Sequence, residues 1–271
     1  MKNISGWGRF PTLTANEIVP ENQSELISIL KEKNSQYIAR GNGRSYGDSS
    51  INQKLTITMT KLNRFIGWNE DSGELVAESG ALLSDVIKTF LPLGWFPYVT
   101  PGTKFVTLGG AIASDVHGKN HHLEGSFGNY VNWIEIIDEN NQVLRCSKTE
   151  NTELFNWTIG GMGLTGIITK CSIRLKKIET GWINQRTVVN NTLKETLNSF
   201  DENHDSLYSV AWIDCLAKKK NFGRSLLFTG EHASLNEVDV ENIFPKSFWT
   251  KSDAHHVKIS AAKARPMLGS A

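Results

Sequence analysis

The sequence predicts an α+β protein, in which short amphipathic helices are interspersed with β-branched strand segments. Its 271 residues are 39% apolar and 21% charged, a composition that suits a globular chain able to bury a core. One long stretch, residues 94–128, is rich in glycine and small polar residues and has no sustained hydrophobic period. Because irregular stretches of this length inside a compact domain are usually functional, we expect a binding site there.

The first 175 residues carry the clearer element signals. The opening segment is predicted to be a loop, and Ser24 is a suitable N-cap for a first helix. Leu26, Ile27 and Leu30 fall on one face of that helix, and a second helix is predicted from about 82 to 91. The remaining predicted elements are strands at 36–40, 55–59, before Glu78, and at 131–138, a turn at 139–141 followed by a strand at 142–146, and a segment from 153 that begins as a helix and ends as a strand.

The pattern changes after about residue 176, where glycine-rich segments no longer occur. The segments TVVN, LYSVAWID and SLLFTG are typical of strands, and one short helix is predicted near 192–201. We therefore divide the chain into a domain of residues 1–175 and a second domain of residues 176–271.

Charge and composition exclude several classes of protein. The 29 basic and 28 acidic residues leave a net charge of +1, without the basic excess of a dedicated nucleic-acid-binding protein. No apolar run reaches the roughly 18 residues that a membrane helix needs, and MKNISGWGRF has no apolar signal core. Three widely spaced cysteines without CxxC or CxH spacing are predicted to be structural, so a cytoplasmic, reducing location is expected.

The segment GNGRSYGD carries the first binding signal. Three glycines within seven residues allow sharp turns that expose consecutive backbone N–H groups, which is how nests bind phosphate oxygens. Arg44 adds charge and Ser45 adds a hydroxyl. The spacing GxGxxxG departs from the GxGxxG of a Rossmann loop. An ordinary tight turn remains the alternative to a phosphate site.

Two further glycine segments, 107–113 and 160–167, allow close backbone approach to a flat or phosphorylated ligand. Tight helix packing is the alternative for the first of them, and a simple turn is the alternative for the second. None of the three segments has the GxxxxGK pattern of a P-loop.

Three histidines lie in the segment DVHGKNHH. A metal site built from His117, His121 and His122 is the tempting interpretation, but no carboxylate stands at a recognised ligand spacing, so we expect no metal. His117, next to Gly118 and Lys119, is better placed to face an electron-rich cofactor.

Together, ARGNGRSYGDSS, TPGTKFVTLGGAIASDVHGKNHHLEGSFGNYV and GGMGLTGII resemble the FAD-binding domain of the vanillyl-alcohol-oxidase-type flavoproteins. More narrowly, their order and spacing resemble the decaprenylphosphoryl-β-D-ribose oxidase family, over about residues 5–230. The resemblance implies a PCMH-type FAD-binding domain of two α+β subdomains, followed by an antiparallel-sheet substrate domain. The family's chain continues well beyond this length, so we expect residues 176–271 to hold only part of that second domain.

The resemblance also implies roles for individual residues. His117 would lie against the isoalloxazine, and Gly163, Gly166 and Ile167 would hold the adenine end. Tyr46, Lys119 and Trp212 would line a sugar pocket, with His117, Lys119 and Tyr46 as the catalytic set and no metal. The implied cofactor-binding residues are Ala39, Arg40, Gly41, Asn42, Gly43, Arg44, Ser45, Tyr46, Gly47, Asp48, Ser49, Gly102, Thr107, Leu108, Gly109, Gly110, His117, Gly118, Lys119, Asn120, Gly163, Gly166 and Ile167.

The implied activity is FAD-dependent oxidation of a secondary hydroxyl of a sugar by hydride transfer to flavin N5. A polyprenyl-phospho-ribose-like molecule is the expected substrate. An aldonolactone-type or other sugar-alcohol oxidase, and an FAD-binding module without turnover, remain the alternatives. The expected partners are a lipid-linked sugar, a separate NAD(P)H-dependent keto-reductase and, through the substrate, a membrane surface, whereas nucleic acid is not expected.

Overall fold

The structure is a computed structural model that describes residues 1–32, 36–239, 258–259 and 264–266. It confirms the predicted α+β class. Six α-helices lie within the described residues: α1 Gln23–Glu32, α2 Leu83–Phe90, α3 Leu108–Ala113, α4 His121–Glu124, α5 Thr152–Thr158 and α6 Leu193–Glu202. Short 3₁₀ helices span Leu91–Leu93, Phe127–Tyr130, Lys219–Asn221 and Leu235–Glu237.

Strands account for most of the remaining regular structure. In chain order they are β1 Lys2–Ser5, β2 Thr12–Ala15, β3 Glu17–Ile18, β4 Ile38–Arg40, β5 Thr56–Thr58, β6 Phe65–Asn69, β7 Glu74–Glu78, β8 Trp95–Pro97, β9 Val131–Ile137, β10 Val143–Ser147, β11 Ile167–Lys177, β12 Trp182–Asn190, β13 Tyr208–Ile213, β14 Ser225–His232, β15 Val238–Asp239, β16 Lys258–Ile259 and β17 Ala264–Pro266.

The chain divides into two compact units. The first unit comprises Met1–Gly118 and Ser126–Lys176, and the second comprises Lys119–Gly125 and Lys177–Ala271. A segment from the middle of the chain therefore belongs to the same unit as the C-terminal part. Residues 240–257, 260–263 and 267–271 of the predicted second domain lie outside the described residues.

The first unit contains three sheets. A hairpin pairs β1 with β2, and a parallel sheet has the order β3-β5-β4. An antiparallel sheet has the order β10-β9-β11-β7-β6, and β8 also pairs with β11. Leu26 and Leu30 of α1 pack with Leu55 and Ile57 in a buried cluster, which explains why the amphipathic face of α1 forms where the sequence predicts it.

Three local predictions about the first unit are wrong. The opening segment forms the β1–β2 hairpin instead of a loop, because Ile4 and Ala15 are buried together. Asn22, not Ser24, caps α1, since its Oδ1 accepts the Glu25 N–H at 3.0 Å. The stretch 94–128 is not irregular throughout, because β8, α3 and α4 lie within it.

The cysteines differ in their environments. Cys146 and Cys171 are buried on either side of Ile134 in the β10–β9–β11 register, as expected of structural cysteines. Burial raises the pKa of Cys171 to about 12. Cys215 is exposed, so packing in the core does not explain why a cysteine stands at this position.

The second unit is built on an antiparallel sheet of order β13-β14-β12-β17, with β15 and β16 paired separately. Thr192 caps α6 by accepting the Glu195 N–H at 3.2 Å. Thr196 and Ser199 on α6 hydrogen-bond to Ser225 and Asn190 of the sheet, at 2.8 and 2.7 Å. The helix therefore covers one face of this sheet.

Candidate functional site

The first glycine segment, residues 41–50, directly follows β4 in the first unit. Gly43 and Gly47 have φ of +63° and +61°, in the left-handed region that glycine tolerates best. None of the backbone N–H groups of residues 42–50 donates to an acceptor among the described residues. A loop of this kind presents consecutive free donors, which is the arrangement that binds phosphate oxygens.

The Arg40 side chain, directly before this segment, hydrogen-bonds to the last residue of the segment and to the end of β1. Its Nη2 donates to the Ser5 carbonyl at 2.8 Å and its Nη1 donates to Ser50 Oγ at 3.3 Å. Ser45 Oγ lies 2.8 Å from Ser50 Oγ, so both ends of the segment are held together. Burial lowers the pKa of Arg40, the Arg44 charge adds to that shift, and the Glu17 carboxylate opposes it.

The Arg44 guanidinium lies over two aromatic rings, 5.1 Å from the Trp7 centroid and 5.9 Å from that of Phe105. Its Nη1 donates to the Asn42 carbonyl at 3.0 Å. Its Nε is buried without a hydrogen-bond partner among the described residues. A buried charged donor of this kind has hydrogen-bonding capacity left for a ligand.

The first segment meets the second at helix α3. A Cβ on Gly41 would come within 2.3 Å of Thr107 Oγ1, so only glycine permits this approach. Asn42 Nδ2 donates to the Phe105 carbonyl at 2.9 Å. Thr107 is itself the N-cap of α3, because its Oγ1 accepts the Gly110 N–H at 3.1 Å.

Helix α3 forms despite its two glycines because it packs tightly. Leu108 N and Gly109 N donate to the carbonyls of Ala81 and Ser79 at 2.8 and 2.7 Å. A Cβ on Gly109 would lie 2.8 Å from Ser79 Cβ, which is the helix-packing alternative that the sequence left open. Ser79 Oγ is buried and has no partner among the described residues, so it too retains a free polar atom.

The third segment attaches to the other end of α3. Gly160 N donates to the Ile112 carbonyl at 3.0 Å, and Met162 N donates to the Ala113 carbonyl at 2.8 Å. Gly166 has φ of +141°, and a Cβ there would lie 2.6 Å from the Ile137 carbonyl oxygen. The first and third glycine segments therefore both meet the second one at α3, an arrangement that the sequence alone did not reveal.

The remaining predicted cofactor residues of the first unit lie in this neighbourhood or on the elements that flank it. Gly163 has φ of +78° and lies near the Ile38 side chain of β4, and Ile167 is buried at the start of β11. A Cβ on Gly102 would meet nothing within 4 Å. The other positions fall on β4, in the first glycine segment or on α3: Ala39, Asp48, Ser49, Leu108 and Gly110.

The histidine segment is divided between the two units. His117 is exposed in the first unit and forms an isolated antiparallel bridge with Ser126. Asp115 holds this turn, since its carboxylate accepts Ser126 Oγ and Gly128 N, both at 2.8 Å. Among the described residues, no three His, Cys, Asp or Glu side chains are grouped to hold a metal ion.

Lys119–Gly125, which we call the anchored segment, belongs to the second unit. Ser209 N on β13 donates to the Lys119 carbonyl at 2.9 Å, and His122 Nε2 lies 2.9 Å from the Ser206 carbonyl oxygen. Asn120 is fully buried, and its side-chain amide donates to the Glu124 carboxylate. The Lys119 side chain is exposed, so the backbone is fixed while the ammonium remains accessible.

Tyr208 on β13 and His232 on β14 lie next to each other in the second unit, which also contains the anchored segment. The Tyr208 hydroxyl lies 3.1 Å from His232 Nε2, and His232 Nδ1 lies 3.1 Å from the Thr180 carbonyl oxygen. Burial raises the pKa of Tyr208 well above its usual value, and the charges of Glu124 and Glu231 add to this. Sequence reasoning missed this pair, since nothing in LYSVAWID or GEHAS marks either residue.

The predicted sugar-pocket residues fall in different units. Tyr46 belongs to the first unit and is 76% exposed. Lys119 and Trp212 belong to the second, and the Lys119 carbonyl bonds to the strand, β13, that carries Trp212. Trp212 is 58% exposed and shares a sheet face with Leu226 and Val189. Ser79, Phe105 and Asp115 also contact the glycine segments, and no glycine motif could have identified them.

The comparisons with known proteins indicate a family of FAD-linked oxidases. Residues 15–147 match the family model described as an FAD binding domain. Decaprenylphosphoryl-β-D-ribose oxidase of Mycolicibacterium smegmatis is 35% identical over 245 residues, covering 88% of this chain and 53% of that protein. L-gulonolactone oxidase of Bos taurus is 25% identical over 250 residues, covering 90% of this chain and 52% of that protein. The chain spans about half the length of these two oxidases.

The residues present fit an FAD. The donor-rich first segment suits the pyrophosphate, and the free buried atoms Arg44 Nε and Ser79 Oγ have no other partner among the described residues. The matched range, 15–147, contains the first two glycine segments.

Within the part of the chain that the structure describes, no helix is long and apolar enough to cross a membrane.

Proposed function

This chain carries the FAD binding domain of the PCMH-type, FAD-linked oxidases, and from that premise we propose that it oxidises a secondary hydroxyl of a sugar. The substrate we propose is a polyprenyl-phospho-ribose-like molecule. The observation that carries the proposal is that the first and third glycine segments meet the second one at α3, in a chain that is 35% identical to a decaprenylphosphoryl-β-D-ribose oxidase.

When bound, FAD supplies the hydride acceptor of the reaction. The chain's own residues bind and orient the reactants. In this proposal the N–H groups of residues 42–50 hold pyrophosphate oxygens, and Gly163, Gly166 and Ile167 hold the adenine end. His117 and Gly118 face the flavin ring from the turn that Asp115 fixes.

Tyr46, Lys119 and Trp212 contact the sugar in this proposal. The exposed Lys119 ammonium stabilises negative charge on the reduced cofactor or holds the substrate phosphate. The hydroxyl loses its proton as the hydride leaves, and His117, Lys119 and Tyr46 are the titratable side chains assigned to handle it. The second unit fixes the Lys119 backbone through Ser209, so its ammonium is presented from a positioned loop.

A lactone oxidase of the same superfamily is the second candidate. It is favoured by the similarity to L-gulonolactone oxidase over 90% of this chain. The two candidates differ in the substrate that is turned over, so they are separated by assay and not by cofactor content.

The partners belong to the proposal as well. A keto product would need a separate NAD(P)H-dependent reductase to complete an inversion at the sugar carbon. A polyprenyl substrate would bring the protein to a membrane surface. Co-sedimentation with vesicles that contain the lipid substrate, compared with vesicles that lack it, tests this association.

The test begins with an absorption spectrum of the purified chain after reconstitution. We expect a flavin spectrum, and acid precipitation should release the flavin as FAD, because we propose a non-covalent cofactor. Extraction of FMN, or no flavin at all, would contradict the cofactor assignment. His117→Ala should shift the flavin spectrum, and stoichiometric zinc that is lost in this variant would instead make His117 a metal ligand.

A steady-state assay follows, with a phospho-ribose lipid analogue, an aldonolactone and an artificial electron acceptor. Turnover of the ribose analogue supports the proposal, and turnover of only the lactone supports the second candidate. FAD binding without turnover of either would mean that these residues form a binding module alone.

A further inference from the structure

A cavity of about 370 Å³ lies on the six-stranded sheet of the first unit, outside all the residues assigned to FAD or sugar. It is lined by three basic side chains, Arg145, Lys148 and Arg174, and by Trp133, Ser147 and Thr149 among others. All three basic side chains are exposed. None of the three is among the residues assigned to FAD.

The two arginines are held by ring faces instead of by carboxylates. The Arg145 guanidinium lies 4.2 Å from the Trp133 ring centroid, and that of Arg174 lies 5.7 Å from the Tyr130 centroid. Tyr130 is in turn stacked on Tyr98, at 3.9 Å and 7°. Cation–π contacts of this kind orient a guanidinium while leaving its N–H donors available.

The two acids that lie opposite the arginines each accept hydrogen bonds from other residues. Glu135 lies opposite Arg145 in the β9–β10 register, but it accepts hydrogen bonds from Lys170, Thr169 and Gln23. Glu74 lies opposite Arg174 and accepts the Ser172 hydroxyl. Among the described residues, none of Arg145, Lys148 and Arg174 forms an ion pair with a carboxylate.

The rim supplies neutral polar groups as well. Ser147 and Thr149 line the cavity with their hydroxyls 3.4 Å apart, and Asn132 donates to Ser172 Oγ at 3.0 Å. Paired arginines, a lysine and hydroxyls within one concave site match the oxygens of a phosphate group. Glu150 follows Thr149 in the chain and is exposed, but it does not line the cavity.

We propose that this cavity binds a small, soluble phosphate-bearing anion of the pyrophosphate or nucleoside-diphosphate class. In this proposal Arg145 and Arg174 donate hydrogen bonds to the phosphate oxygens, and Lys148, which directly follows β10, contributes a further positive charge. The cavity volume suits a small molecule, and Trp133 lies beneath a guanidinium instead of projecting towards a lipid. The proposal does not depend on the identity of the oxidised sugar.

The test uses the FAD-loaded protein, so that the FAD site is closed to competing phosphates. Equilibrium dialysis measures binding of inorganic pyrophosphate and of ADP at moderate salt. The double variant Arg145→Gln/Arg174→Gln should weaken binding about tenfold or more. Lys88→Gln, which removes an exposed lysine of α2, is the matched control and should leave binding unchanged.

FAD absorbance, retained in both variants, shows that the first unit is still folded. The proposal is supported if pyrophosphate or ADP binds and the double variant loses that binding. It is overturned if neither anion binds, or if the double variant binds as well as the parent. Binding confined to phosphatidylglycerol vesicles, with none of the soluble anions, also overturns it and would identify a membrane-docking patch.

Discussion

The two units hold their functional segments in different ways. In the first unit, the first and third glycine segments meet the second one at α3 through backbone N–H and carbonyl groups, and several of these approaches leave no room for a Cβ. In the second unit, the anchored segment is held through Ser209 and His122, beside a sheet whose Trp212 and Val189 are exposed. The comparison indicates that backbone geometry builds the proposed cofactor region, whereas exposed side chains dominate the proposed substrate region.

The largest expected effect comes from filling the closest approach in the first unit. Gly109→Val would place a branched side chain against Ser79, where a Cβ alone already lies 2.8 Å from Ser79 Cβ. We expect unfolding to become easier by about 1–3 kcal/mol and FAD affinity to fall by roughly tenfold or more. Chemical denaturation and flavin titration measure the two effects.

Gly67→Val is the control, because a Cβ at Gly67 would meet only Val76 Cβ at 3.8 Å, an ordinary contact, and Gly67 is not among the residues assigned to FAD. If both variants bind FAD equally well, tight backbone packing at α3 does not build the cofactor site. The proposed difference between a first unit built by backbone geometry and a second unit dominated by exposed side chains would then be wrong.

The second prediction concerns pH. Burial opposes ionisation of Glu135, but hydrogen bonds from Lys170, Thr169 and Gln23 hold its pKa below the usual value. A lowered folded-state pKa stabilises the protein above the unfolded pKa, and that stability is lost as pH falls through the folded value. Glu135→Gln should therefore cost about 1–2 kcal/mol at neutral pH and much less below about pH 4.

Denaturant unfolding at several pH values measures this effect, with Glu139→Gln in an exposed turn as the control. A Glu135→Gln penalty that is the same at pH 3 and pH 7 would show that the amide loses packing and not charge.

The third prediction tests how the anchored segment is held. His122→Ala removes the contact between His122 Nε2 and the Ser206 carbonyl. We expect a loss of about 0.5–1.5 kcal/mol, the range of a typical hydrogen bond, and faster amide hydrogen exchange in residues 119–125. His204→Ala, which removes a contact to the Asp201 carbonyl, should leave that exchange unchanged.

The smallest effect on stability is expected at Trp212. Because its side chain is 58% exposed, Trp212→Ala should change the free energy of unfolding by less than about 0.5 kcal/mol. If the proposed function holds, the same variant should raise the KM for the sugar substrate. A large loss of stability with an unchanged KM would make Trp212 a structural residue and weaken the contrast drawn here.

Much of the fold follows from local sequence signals. The amphipathic pattern of Leu26 and Leu30 predicted α1, and the β-branched run after Gly166 predicted β11. The β1–β2 hairpin was missed, and helix packing at 107–113 was only one of two alternatives left open, because Ile4 packs with Ile51 and Gly109 contacts Ser79, partners that lie outside their own segments. Propensity disfavours a helix with two adjacent glycines, and tertiary packing overrides that preference.

The sequence by itself determined the class of the ligand. Three glycine segments in a fixed order carry the resemblance to an FAD-binding domain, since close backbone approach to a pyrophosphate requires glycine at particular positions. Only the tertiary structure decided how these segments meet, because their contacts join residues such as Gly41 and Thr107, 66 positions apart in the numbering. It alone placed Lys119 with β13 and assembled the basic cavity around Arg145 and Arg174. Strand register and burial set those juxtapositions, and neither is visible in a local pattern.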